Sequence, residues 1–191
     1  MKAKLILFHA YHVPVVATEF PIVIPSTVDL EKDCMEGLQG IAKKLHSKHI
    51  NLNVECIVKC GLAVDEINQY VENQKTELIV MGMQGGGFLT EKLIGSVTTS
   101  MIQKSKCPVL VISKDVKFKS IKKIVLACDY NETENTKVLE PMKEFARLFK
   151  SHIYVFNVER EIEPAVSTSK VVSDFMKLEH SLGEKDHTFH Y

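Results

Sequence analysis

Five short runs in this 191-residue chain are apolar almost without interruption: Lys4 to Ala10 (KLILFHA), Glu77 to Met81 (ELIVM), Pro108 to Ser113 (PVLVIS), Ile121 to Cys128 (IKKIVLAC) and His152 to Val158 (HIYVFNV). A strand with one wet face alternates apolar and polar residues. A strand that is apolar at nearly every position has both faces covered, which is the situation of a parallel sheet flanked by helices. The intervals between the runs supply those helices. Cys34, Leu38, Ile41 and Leu45 recur at i, i+4, i+7 and i+11, the stripe of an amphipathic helix. Gly37 and Gly40 interrupt it, each weakening a helix interior by about 1 kcal/mol relative to alanine. Val64, Ile67, Tyr70 and Val71 mark a second helix, and Ser96 to Ser105 reads as a third. Val138, Met142, Phe145 and Phe149 mark a fourth, whose Pro141 predicts a late start or a kink. Asn51 to Val58 adds a strand with Leu52, Val54, Cys56 and Val58 on one face. The expected fold is a doubly wound α/β domain, in which ligands bind beyond the carboxyl ends of the strands.

Charge narrows the choice of partner. Lys and Arg number 24 and so do Asp and Glu, and the split stays even along the chain, 12 basic to 11 acidic through Lys114 and 12 to 13 after it. A nucleic-acid groove or a polybasic membrane patch needs a local excess of positive charge, so neither is expected. Pro14, Pro21 and Pro25 punctuate the most apolar region, and no stretch reaches the ~18 apolar residues of a membrane span. Five cysteines, an odd number without framework spacing, fit reduced thiols in the cytoplasm. Cys56-x3-Cys60 lies on or just after a strand, where the spacing does not converge two cysteines with His46 and His49 on a zinc ion, and His9-x2-His12 and His187-x2-His190 read as strand-end or surface histidines, so no metal is expected.

At the usual ~100 to 200 residues per domain, 191 residues make one generous domain or two small ones. The pattern starts afresh after the lysine-rich connector KDVKFKS, and HIYVFNV resembles KLILFHA in length, apolarity and its late polar residue. This weak internal repeat divides the chain into residues 1–114 and 115–191, the second part reading as strand, helix, strand and a helix around Val171 to Leu182, with a tail EKDHTFHY.

The segment after the second fully apolar run carries the chemistry. It reads MGMQGGGFLTEKLIGSVTT over residues 81–99 and contains Gly82-x2-Gly85-x9-Gly95-Ser96 between a strand and a helix. Glycines let backbone N–H groups approach a ligand with no Cβ in the way, and the start of the helix offers unpaired N–H donors and a positive dipole end. A hydroxyl from Ser96, Thr98 or Thr99 would complete an anion nest suited to phosphate. A plain structural turn with Ser96 as helix cap is the competing reading. Neither the Gly-Lys-Ser/Thr of a P-loop nor the last glycine of a dinucleotide fingerprint is present.

Residues 79–113, IVMGMQGGGFLTEKLIGSVTTSMIQKSKCPVLVIS, resemble the C-terminal half of a universal stress protein domain, whose ATP-binding members carry Gly-x2-Gly-x9-Gly-Ser/Thr. Residues 121–158 resemble the beginning of such a domain. The resemblance implies a five-stranded parallel sheet of the Rossmann-like, adenine nucleotide alpha hydrolase-like kind, followed by a partial second repeat. It implies that Gly82, Gly85, Gly95 and Ser96, with Val97 beside them and Met81 before them, hold the ribose and phosphates of ATP, AMP or ADP, with magnesium as a companion ion. Ala10 would line the adenine pocket. The family's first strand and its Asp have no counterpart before Lys4, and Asp129 is the matching residue. The strand Ile121 to Cys128 is therefore expected to fill the first sheet, within one chain or by exchange between two.

Few carboxylates flank the loop, so a binding and signalling role is expected over turnover. A non-nucleotide-binding dimerisation module and a weak phosphotransferase or ATP hydrolase are the alternatives. The strand Val109 to Ile112 would lie at a sheet edge, and a homodimer through it is expected.

Overall fold

The computed structural model describes residues 3–13, 27–83, 95–128, 139–157, 176–180, 182–183 and 187–190. They fall into two compact units, Met1–Val116 and Lys117–Tyr191.

In the first unit, β1 (Lys4–Tyr11) is followed by α1 (Thr27–Lys48) and β2 (Asn53–Cys60), then by α2 (Ala63–Gln74), β3 (Ile79–Gly82), α3 (Ser96–Lys104) and β4 (Val109–Ile112). Each apolar run became a strand and each helical stripe a helix. β1 pairs with β2 and β3 pairs with β4, both in parallel, with Lys4 opposite Asn53 and Ile79 opposite Val109. Parallel neighbours need a crossover connection, which α1 and α3 provide. α1 runs through Gly37 and Gly40 for 22 residues and buries Leu38. On β2 the buried position is Val58.

α2 packs on β1 through Tyr70, whose ring meets Phe8 at 5.3 Å and 59°. It is also tied to the end of α3: the Asn68 Nδ2 donates to the Lys104 carbonyl at 3.3 Å, and Glu72 lies 3.8 Å from Lys106 Nζ. These exposed polar ties add little energy, of the order of 0 to 1 kcal/mol for such an ion pair. The weight is carried by Val71 and by Met101, which is fully buried. Lys4 and Glu55, side by side across β1 and β2, form an ion pair that raises the lysine pKa, first by hydrogen bonding and then by charge.

The second unit holds β5 (Lys123–Cys128), α4 (Glu140–Phe149), β6 (His152–Asn157) and β7 (His187–His190), with a helical segment over residues 176–180. Its sheet has the order β5-β6-β7, all parallel. Ile153 and Val155 are fully buried and pack with Ala146, Leu178 and Leu182, while Ile124, Leu126, Leu139 and Met142 complete the cluster. α4 begins at Glu140, so Pro141 stands in the first turn, where its missing N–H costs nothing. The late start read from Pro141 is what the chain does. The tail EKDHTFHY, to which no element was assigned from the sequence, contributes β7. In the described pairings Ile121 to Cys128 forms β5 beside β6; its expected insertion between β1 and β3 is a different pairing from these.

Candidate functional site

Parallel pairing brings the carboxyl ends of β3 and β4 together, with Gly82 opposite Ile112. The chain then leaves β3 and returns into α3, and three hydrogen bonds hold the two ends of that excursion. Met83 N–H donates to the Ile112 carbonyl at 2.9 Å, and Gly95 N–H donates to the Met83 carbonyl at 2.8 Å. The hydroxyl of Thr98 donates to the Gly82 carbonyl at 2.9 Å. Thr98 is only 3% exposed, so this bond is sheltered from water and fixes the first turn of α3 against the end of β3.

This corrects one expectation. Thr98 was a candidate ligand hydroxyl, but its proton is committed inward to Gly82. Ser96 is not the helix cap either: Gly95 occupies that position, with extended ψ of 148°, and among the described residues no side chain caps the helix. Ser96 and Val97 are the first helical residues and both are exposed. The first turn holds no acidic side chain, and the one basic residue of the last turn is Lys104. Among the described residues nothing caps this helix start and its first turn holds no carboxylate, and a helix start of that kind presents its positive dipole end and unpaired N–H groups to an anion.

Of the other sequence candidates, Met81 is half-buried in β3 opposite Val111, and Ala10 is half-buried near the end of β1 opposite Lys59. Gly82, Gly95, Ser96 and Val97 are thus gathered around one strand-to-helix junction, with Met81 just before it, while Ala10 stands at the carboxyl end of the other strand pair. Gly85 and Asp129 lie outside the described residues.

Sequence reasoning did not find Tyr11 at the carboxyl end of β1. Its hydroxyl is pushed above the ordinary tyrosine range, first by burial and then by the neighbouring Cys60, with Glu31 and Cys34 adding to the effect. The register sets Tyr11 opposite Cys60, and no spacing in the sequence announces that pairing. Among the described residues no helix is long and apolar enough to cross a membrane.

Comparison with known proteins gives concordant results. The model of the universal stress protein family matches residues 1–113. Universal stress proteins MJ0531 and MJ0577 of Methanocaldococcus jannaschii are each 33% identical to the chain, over 88 and 85 residues, covering 46% and 44% of it. The chain spans about half the length of these relatives, 51% of each. The crystal structure of a universal stress protein from Archaeoglobus fulgidus superposes with a TM-score of 0.64 at 20% identity, covering 97% of this chain and 65% of that one. That likeness is one of fold.

Proposed function

We propose, from the premise that this chain belongs to the universal stress protein family, that it binds ATP or a related adenine nucleotide as a regulatory module of a cytoplasmic stress response. The observation that carries the reading is the junction of β3 and α3: the Thr98 hydroxyl holds the Gly82 carbonyl, and beside it stands an uncapped helix start with Ser96 and Val97 exposed. Phosphate is the ligand such a junction suits, because backbone N–H donors and the helix dipole act on it together. In this reading Gly82, Gly85, Gly95 and Ser96 hold ribose and phosphates, with Met81 and Val97 beside them, Ala10 faces the base and Asp129 completes the site. Magnesium would accompany the phosphates.

The test uses the helix start itself. In Val97→Asp a carboxylate enters the first turn of α3, where it favours the helix but competes with a bound phosphate. Isothermal titration with ATP is expected to show at least a tenfold loss of affinity in this variant with an unchanged or raised unfolding midpoint. Equal affinity in both proteins would overturn the assignment, and so would silence from the wild type.

Self-association through β4 belongs to the same proposal. β4 pairs with β3 on one edge, and among the described residues nothing pairs with its other edge. Ile112 on this strand is 41% exposed, and an apolar edge strand is a ready template for a second copy.

A further inference from the structure

The first sheet has a second cluster at its carboxyl end that the nucleotide reading does not use. Tyr11 and Cys60 are partners across β1 and β2, and the Gly61 N–H donates to the Tyr11 carbonyl at 2.8 Å, closing that end of the pair. Burial first, and then Cys60, Glu31 and Cys34, the last two on α1, raise the pKa of the Tyr11 hydroxyl.

The course of the chain brings the two cysteines to the same level. α1 joins two parallel strands, so it runs antiparallel to both. Leu38 on α1 and Val58 on β2 are each buried, α1 packing on β2. Cys34 lies one turn before Leu38, about 6 Å toward the helix start at 1.5 Å per residue. Cys60 lies two residues beyond Val58 on the same strand face, about 6.6 Å toward the carboxyl end at 3.3 Å per residue. The two displacements point the same way and nearly match. Both thiols are free, Cys60 exposed and Cys34 half-buried.

We infer that Cys34 and Cys60 form a reversible disulfide in response to peroxide, linking α1 to the carboxyl end of β2. Cys60, the exposed thiol, attacks the peroxide; its sulfur gains one oxygen as sulfenic acid, the O–O bond breaks and one water leaves. The Cys34 sulfur then attacks that sulfur, the S–O bond breaks, the S–S bond forms and a second water carries off the remaining thiol proton. Two thiols are oxidised, one hydrogen peroxide is reduced, and a small-molecule dithiol reverses the change by exchange.

The full chain is treated with hydrogen peroxide, alkylated and digested without reductant, and its cross-linked peptides are identified by mass spectrometry. The expected result is an intramolecular link between the peptides containing Cys34 and Cys60, removed by dithiothreitol. Cys34→Ser and Cys60→Ser should each abolish it, while Cys56→Ser should leave it intact. A link that joins two copies, one that engages Cys56 or Cys107 instead, or a Cys60 that passes to sulfinic acid without linking would overturn the inference. The wild-type map decides without reliance on the folding of any variant.

Discussion

Glycine stands where it costs stability in one place and is missing where it would help in others. Gly40 lies inside α1 with nothing within 4 Å of the position its Cβ would take, so Gly40→Ala removes backbone freedom from the unfolded chain without a clash. Lys75 ends α2 and Lys150 ends α4, each in the left-handed conformation, with φ of 51° and 53°. That conformation costs a side chain of this kind about 1 kcal/mol and glycine almost nothing. Gly40→Ala and Lys75→Gly are each expected to raise stability by about 0.5 to 1 kcal/mol, read as a higher midpoint in urea at constant slope. A fall in either midpoint would show that the substituted position carries a contact the backbone argument omits. Gly61 is the opposite case: its φ of +157° is one that L side chains rarely adopt, and a Cβ there would also oblige the flexible Glu66 side chain to move, its Cγ lying 2.8 Å away.

At the scale of elements, β4 allows the dimer proposal to be separated from the fold. The Pro108 and Ile112 carbonyls accept from Ile79 and Met83, so alternate residues of β4 aim their backbone groups at β3. Val109 and Val111, between them, aim theirs at the outer edge. Val111→Pro therefore removes an outward donor and spares the ladder to β3. Size-exclusion chromatography with light scattering should show the wild type as a dimer and this variant shifted to monomer, with little change in circular dichroism. A variant that stays dimeric would place self-association elsewhere. The elements themselves were largely legible. KLILFHA, ELIVM and PVLVIS read as buried strands and are strands, but none of their residues is buried and Val80 is 55% exposed, so the coverage expected of both faces is not what the described residues provide. The stripe from Cys34 to Leu45 read as a helix face and is one. β7 was not legible, because HTFH is short and polar and is recruited by pairing to β6, a partner 34 residues away between Ile153 and His187. At the junction, Gly82, Gly95 and Ser96 could be placed together because their loop lies between an apolar strand and a helical stripe and resembles the family's motif. The inward turn of the Thr98 hydroxyl could not, since it depends on where the Gly82 carbonyl points.

For the molecule as a whole, the buried cluster of Ala146, Ile153, Val155, Leu178 and Leu182 lies entirely within the second unit. Leu178 is almost fully buried, and Leu178→Ala is expected to cost about 2 to 5 kcal/mol through lost transfer energy and the cavity left behind. Hydrogen exchange should report that loss in amides of residues 117–191 while those of β1 and β2 keep their protection; equal loss in both would mean a single cooperative structure. The division also has a consequence for synthesis. That cluster cannot close until Leu182 has emerged, 66 residues after Val116 ends the first unit. At about 5 to 20 residues per second, the ribosome gives the first unit several seconds in which to fold before its neighbour can compete for the same apolar strands.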